Sequence, residues 1–96
     1  MTHDLPPRVR DLVRGGHHSY IDEWQRRDDG WWAHLWWIED NPKSGWSKHK
    51  DPFLQCDAWR PAAMVQRIDG EIYRKVRRTR LDSSTGTPVP INPLDT

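Results

Sequence analysis

The sequence predicts a mainly β fold, specifically a small SH3-like (Tudor-like) barrel of about five strands, with an OB-like barrel as the alternative. Three observations lead to this prediction. Short runs rich in aromatic and β-branched residues alternate with turn-forming residues. The chain has 96 residues, enough for one domain. It holds seven tryptophans although only 34% of its residues are hydrophobic, and a few buried indoles can replace many aliphatic side chains. Closure into a barrel would remove exposed sheet edges.

The N-terminal half divides at its glycines and prolines. Residues 1–7 end in Pro6-Pro7 and are expected to be a flexible leader, so the single domain is placed at residues 8–80. Residues 8–14 fit a short strand or a helical turn, which Gly15-Gly16 interrupts. Residues 19–27 and 31–39 read as two strands, joined at Asp28-Asp29-Gly30 by a hairpin turn.

The next strand follows a segment of turn-forming residues at 40–45. Within residues 53–59, Leu54, Cys56 and Ala58 alternate with larger or more polar residues. Because successive residues of a strand point to opposite faces, we expect these three to point into the core.

Residues 62–80 admit two interpretations. Met64, Ile68, Ile72 and Val76 recur every four residues, as on one face of a helix. Gly70 would cost such a helix about 1 kcal/mol, so we favour a hairpin that turns at Asp69-Gly70 and pairs Ile68 with Ile72 and Met64 with Val76. Residues 81–96 are rich in proline and small polar residues and are expected to form a disordered tail.

The charge of the chain is nearly balanced but unevenly distributed. The formal net charge is +1, whereas residues 71–80 carry five basic side chains and one acidic side chain. Such a segment either contacts an acidic partner or is an edge strand kept soluble by its charge. No run of about 20 apolar residues is present for a membrane helix, and the first residues lack the apolar core of a secretory signal. We therefore expect a cytoplasmic protein.

The strand predicted at 31–39 carries the strongest functional signal. One of its faces holds Trp31, Ala33, Leu35 and Trp37, and the other holds Trp32, His34, Trp36 and Ile38. One face can fill the core, and the sequence leaves open which one does. If both are covered, by partner strands on one side and loops or tail on the other, no ligand is needed. If not, Trp32, His34 and Trp36 form an exposed platform that binds a partner.

Three kinds of partner fit such a platform. Aromatic rings stack nucleobases, dock proline-rich peptides or anchor protein interfaces. Nucleic-acid binding would gain phosphate contacts from the basic strand predicted at 74–80, that is from Arg74, Lys75, Arg77, Arg78 and Arg80. The acidic residues Asp22, Glu23, Asp28 and Asp29 would repel phosphates beside the platform, which favours a protein partner instead. Homodimerisation through the same face is also open.

Catalytic and metal sites are not expected. Cys56 and His49 lack a third residue that would orient them, and Cys56 reads as a small core residue. His17, His18, His34 and His49 show none of the paired spacings typical of structural zinc sites. We expect no cofactor.

Residues 20–33, YIDEWQRRDDGWWA, resemble the Trp–turn–Gly–Trp hairpin of small Trp-rich SH3-like proteins of actinobacteria, mostly uncharacterised and in part carried on mobile elements. The matching positions are Trp24, Asp29, Gly30 and Trp32. The resemblance implies the barrel and a bacterial origin, and it implies no activity. A weaker similarity to MazF-like endoribonuclease toxins rests on residues 41–45 and 60–65, and it implies an RNA-cleaving toxin as a third function.

The sequence therefore predicts a non-catalytic module that contacts a protein partner through its Trp-rich sheet face, as a regulatory or mobile-element accessory protein. A nucleic-acid-binding accessory protein is the alternative.

Overall fold

A computed structural model describes residues 5–41, 52–82 and 84–91 of the chain. The described residues form a mainly β domain, as the sequence predicts. Strand follows strand with two short 3₁₀ turns, Leu12–Arg14 and Ala62–Met64, in between. The strands are β1 (Arg8–Asp11), β2 (His17–Arg27), β3 (Gly30–Asp40), β4 (Phe53–Pro61), β5 (Val65–Arg67), β6 (Arg77–Leu81) and β7 (Pro88–Pro90).

Five of the strands form an antiparallel row in the order β4-β3-β2-β1-β5. Since β2 is much longer than β1, one edge of its C-terminal half remains free, and β6 pairs there in parallel. Strand β7 then pairs with β6. The sheet of the described residues is not closed, because β4 and β5 are the two ends of the row. The 3₁₀ turn at Ala62–Met64 connects these two end strands directly.

The hairpin predicted at Asp28-Asp29-Gly30 is confirmed. Arg27 pairs with Gly30, and Gly30 has φ 124°, a backbone conformation that glycine tolerates best. Farther along the hairpin, the register shifts between Ile21 and Glu23, so that Asp22 is an extra, bulged residue. The bulge places Ile21 and Trp24 on the same side of the sheet although they are three residues apart.

The core lies against one side of this sheet. Its fully or largely buried apolar side chains include two tryptophans, consistent with a chain of low hydrophobic content. Cys56 and Ala58 of β4 pack against it as predicted. Leu54 lies in the same row as predicted but is 43% exposed, so it does not reach the core. The buried apolar residues are Val9, Ile21, Trp24, Ala33, Leu35, Trp37 and Val76.

Both interpretations of residues 62–80 are wrong. The backbone turns at Asp69-Gly70, but β5 pairs with β1 and β6 pairs with β2, so neither a hairpin nor a helix forms. The Tyr73 hydroxyl accepts a hydrogen bond from the Ile68 backbone N–H and donates one to the Arg8 carbonyl oxygen. These bonds connect the loop between β5 and β6 to strand β1 without strand pairing. The side chain of Ile72, in the same loop, is 61% exposed.

The two ends of the chain follow the sequence in part. Strand β1 begins at Arg8, directly after the expected leader. Residues 8–14, for which the sequence allowed a strand or a helical turn, form a strand followed by a 3₁₀ turn. Residues 88–90, which the sequence assigned to a disordered tail, form β7. Residues 1–4, 42–51, 83 and 92–96, including most of the turn predicted at 40–45, lie outside the described residues. Within the described part of the chain, no helix is long and apolar enough to cross a membrane.

A buried carboxylate connects the first strand to β4. Asp11 is fully buried and accepts hydrogen bonds from the Val13 backbone N–H at 3.1 Å and from Arg60 Nε at 3.2 and 3.3 Å. Because Asp11 ends β1 and Arg60 lies near the end of β4, this ion pair joins two strands that share no backbone hydrogen bonds.

Candidate functional site

The predicted platform residues lie on the side of β3 that faces away from the core. Ala33, Leu35 and Trp37 are buried, whereas Trp32, His34 and Trp36 are half-buried on the opposite side. The structure thereby shows which face of β3 packs into the core. Ala33, Leu35 and Trp37 belong to the core, and the opposite face stays accessible.

Neighbouring strands add two further aromatic rings to this row. Tyr20 of β2 stacks on Trp36, with ring centroids 4.4 Å apart and an interplanar angle of 27°. Trp59 of β4 lies 4.9 Å from the His34 ring. We call Tyr20, Trp32, His34, Trp36 and Trp59 the aromatic face. All five side chains are half-buried, so each still exposes part of its ring.

An arginine holds the end of the aromatic face nearest the hairpin turn. The Arg27 guanidinium carbon lies 4.7 Å from the Trp32 ring centroid and 4.8 Å from that of Trp59, within the range of cation–π attraction. The Trp32 indole N–H also donates a hydrogen bond of 2.9 Å to Asp29. These contacts order both indoles although neither is fully buried.

The centre of the aromatic face is an ion-paired histidine. His34 Nδ1 lies 2.7 Å from an Asp22 oxygen, and Nε2 lies 2.8 Å from an Asp57 oxygen. Ionised carboxylates only accept hydrogen bonds, so both ring nitrogens must carry protons for both bonds to form. Burial lowers the pKa of His34, but the hydrogen bonds and charges of Asp57 and Asp22 outweigh it and raise the pKa above its usual value. Imidazolium and two carboxylates together carry one negative charge.

Apolar side chains extend the same side of the sheet beyond the aromatic face. Ile38, two residues after Trp36 on β3, is 49% exposed. Phe53 pairs with Asp40, which shares the side of Ile38, and is 58% exposed. The accessible apolar surface therefore runs along most of β3.

The basic residues predicted to act together do not share one surface. Arg74 and Lys75 lie in the loop before β6, so the predicted 74–80 strand is corrected to Arg77–Leu81. Arg77 pairs with Glu23 on the side of His34, whereas Arg78 pairs with Trp24 on the core side. Arg80 pairs with Arg26 and also lies on the core side.

Sequence reasoning missed four residues that complete the candidate site, and it placed a fifth, Asp22, beside the platform only as an acidic neighbour. The pairing register, read outward from the hairpin turn, is the signal that places Arg27 beside Trp32. The bulge at Asp22 has no recognisable sequence signal, and it shifts the register of everything before it. The positions of Asp57 and Trp59 depend on how β4 pairs with β3, and the residues between these two strands do not indicate that register. The missed residues are Tyr20, Arg27, Asp57 and Trp59.

The cysteine and histidines considered for chemistry are dispersed. Cys56 lies at the edge of the core with its Sγ 3.5 Å from Glu39 Oε2, and desolvation followed by this carboxylate raises the pKa of the thiol. A raised thiol pKa is the opposite of what an activated nucleophile needs. His17 and His18 are exposed on β2, and His49 lies outside the described residues. No group of three His, Cys, Asp or Glu within the described ranges is arranged to hold a metal.

The chain finds no match among protein-family models, curated proteins or solved structures.

Proposed function

We propose that this protein is a non-catalytic binding module whose aromatic face contacts a protein partner. The supporting observation is a continuous row of half-buried rings that are held in place by contacts within the sheet. Tyr20 and Trp36 stack, His34 is ion-paired on both sides, and Arg27 lies over two indoles. Ordered aromatic side chains lose little conformational freedom on binding, which is one reason why Trp, Tyr and Arg dominate interface energetics.

The charges on the aromatic face favour a protein over a nucleic acid. Asp22 and Asp57 flank His34, and Asp29 lies at the Trp32 indole. A phosphate backbone laid across these carboxylates would meet like charges. A polypeptide can instead place apolar side chains on the rings and a cationic side chain beside Asp57, which is 65% exposed. A partner with a basic and apolar surface fits best.

We also propose that the domain has an SH3-like fold, and the order of its strands supports this proposal. An antiparallel row β5-β1-β2-β3-β4, with a 3₁₀ turn between β4 and β5, is the order expected of such a fold, although the sheet is not closed. We also propose a bacterial accessory protein, since the resemblance to actinobacterial proteins implies a bacterial origin, and we keep the cytoplasmic location as a proposal. No contact of the described residues favours the ribonuclease-toxin alternative.

Nucleic-acid binding is the second candidate function, and it is restricted to one side of the sheet. Arg78 and Arg80 share the core side with Arg26, whereas Arg77 lies on the side of His34 and Arg74 and Lys75 lie in the loop before β6. Salt-dependent binding through those arginines, and not through the aromatic face, is what this candidate requires.

The test compares tryptophans on the two sides of β3. Wild-type protein and the variants Trp36→Ala, Trp32→Ala and Trp31→Ala are used for quantitative affinity capture from a lysate of the source organism, and sedimentation measures self-association. Trp31 is the matched control, since it lies on the same strand but on the core side and is 38% exposed. Amide protection then maps the contact made by the purified partner.

We expect one stoichiometric partner, either another protein or a second copy of this chain, that Trp36→Ala and Trp32→Ala release and Trp31→Ala retains. Protection should fall on β3 and β4 residues of the aromatic face. The proposal fails if the three variants behave alike, or if a folded protein with both substitutions on the aromatic face keeps every partner.

A further inference from the structure

A cavity of about 550 Å³ opens on the side of the sheet opposite the aromatic face. Its volume is within the range of about 300–1,000 Å³ that is typical of small-molecule sites. Its walls come from strands β2, β3, β5 and β6, the 3₁₀ turn at Ala62–Met64 and the residue that follows β7. The lining residues are Trp24, Trp31, Ala62, Val65, Arg67, Arg78 and Ile91.

Two indoles give the cavity an aromatic wall. Trp24 is only 9% exposed and belongs to the core, whereas Trp31 is 38% exposed at the mouth. Trp31 pairs with Arg26, two residues beyond Trp24 on β2, so the two indoles lie on adjacent strands of the same side. Ala62 and Val65 complete an apolar surface against which a flat ring can pack.

Two guanidinium groups give the same cavity a positive charge. Arg67 is exposed and its guanidinium carbon lies 5.8 Å from the Trp24 ring centroid. Arg78 pairs with Trp24 across β2 and β6. Among the described residues, no carboxylate lines the cavity and neither arginine has an acidic partner within ion-pair distance. Arg26 and Arg80 continue this charge along the same side.

From this combination we propose that the cavity binds a nucleotide unit, with the base against Trp31 and the phosphate at Arg67 and Arg78. Guanidinium groups recognise phosphate oxygens through paired N–H donors, and aromatic side chains stack on any nucleobase. A purely apolar ligand would leave both arginines without a counter-charge. The nucleotide unit is either free or part of a single strand, because both present the same ring and phosphate.

This site is independent of the protein-binding proposal, and it shares Arg78 with the second candidate function, nucleic-acid binding on the core side. The aromatic face has Asp22, Asp29 and Asp57 within hydrogen-bond distance of its rings, whereas the described residues that line the cavity include two arginines and no carboxylate. The alternation of side chains along β3 separates the two, with Trp31 on one side and Trp32 on the other. Substitutions on one side should therefore leave binding on the other side intact.

The experiment titrates the purified protein with adenosine 5′-monophosphate, adenosine and inorganic phosphate, and in parallel with a short single-stranded oligodeoxyadenylate. Calorimetry measures affinity, and the tryptophan indole N–H signals report the location. The variants are Trp31→Leu and Arg67→Gln. Arg67 is exposed, although its guanidinium lies over the Trp24 and Tyr73 rings. Trp32→Leu and Arg74→Gln serve as controls from outside the cavity, and circular dichroism verifies that each variant folds.

We expect adenosine 5′-monophosphate to bind about tenfold or more tightly than adenosine, because a charge-assisted contact is lost without the phosphate. Trp31→Leu and Arg67→Gln should each weaken binding roughly tenfold, while both controls bind like wild type. Binding of the oligonucleotide alone, with the same pattern among variants, would identify the strand as the source of the nucleotide. The proposal is overturned if neither the monophosphate nor the oligonucleotide binds. It is also overturned if adenosine binds as tightly as the monophosphate, or if the control substitutions weaken binding as much as the cavity substitutions.

Discussion

Replacing Arg60 by methionine should destabilise the protein more than any exposed charge substitution. The change removes the guanidinium that lies 3.2 and 3.3 Å from the two oxygens of Asp11. Asp11 is fully buried, and its other hydrogen-bond donor in the described structure is the Val13 backbone N–H. The variant therefore keeps a buried carboxylate but removes its counter-charge.

The size of the effect follows from the burial of each partner. Removing one partner of a buried ion pair costs about 3–5 kcal/mol, because a buried charge is left uncompensated. The Arg60 side chain is 19% exposed, so water reaches the pair from one side. We therefore expect a loss of about 2–4 kcal/mol in the free energy of unfolding, somewhat below the range for a fully buried pair.

Urea unfolding, followed by tryptophan fluorescence, measures this loss. The control is Arg8→Met, whose pair with Glu71 is 51% and 22% exposed and should contribute at most about 1 kcal/mol. The double variant Asp11→Asn/Arg60→Met should be more stable than Arg60→Met alone, since it no longer buries a charge. If Arg60→Met costs no more than Arg8→Met, the ion pair does not connect β1 to β4 as described.

Two further predictions concern titratable groups. Because the pKa of His34 is raised on folding, its contribution to stability is complete below the unfolded pKa of about 6.5 and is lost as pH rises through the folded value. Wild type should therefore exceed His34→Asn in denaturation midpoint by more at about pH 6 than at about pH 9. Equal differences at both pH values would contradict the ion-paired imidazolium. The raised pKa of the Cys56 thiol, from desolvation and from Glu39, predicts slow alkylation by iodoacetamide near neutral pH and faster alkylation in Glu39→Gln. Equal rates in the two proteins would show that the carboxylate does not act on the thiol.

Local signals in the sequence predicted the hairpin and the two faces of β3. A two-residue turn followed by glycine fixes the pairing of the strands beside it, so the β2–β3 hairpin followed from residues 28–30 alone. Strict alternation then divided Trp32, His34 and Trp36 from Ala33, Leu35 and Trp37. Burial, which depends on the rest of the chain, decided which set faces the core.

Features that depend on distant residues were predicted less well. The turn at Asp69-Gly70 is local and is present, but the strands on either side of it pair with β1 and β2 instead of each other. Backbone groups of β2 beyond the end of β1 need partners, and β6 supplies them. That requirement comes from the unequal lengths of β1 and β2, which the residues of 62–80 do not encode. The same limitation hid Asp57 and Trp59, whose place beside β3 depends on the register of β4.

The position of β6 also bears on why its segment is so basic. A basic edge strand would need no further explanation, since charge protects exposed strand edges from pairing with other chains. However, β6 pairs with β2 on one side and, through Thr79, Arg80 and Leu81, with β7 on the other. Much of its backbone is therefore already satisfied, and protection of an edge accounts for little of the charge. The arginines that β6 places on the core side lie beside Trp24 and Arg26. Binding of the proposed anionic ligand there explains their charge, whereas protection of a strand edge does not.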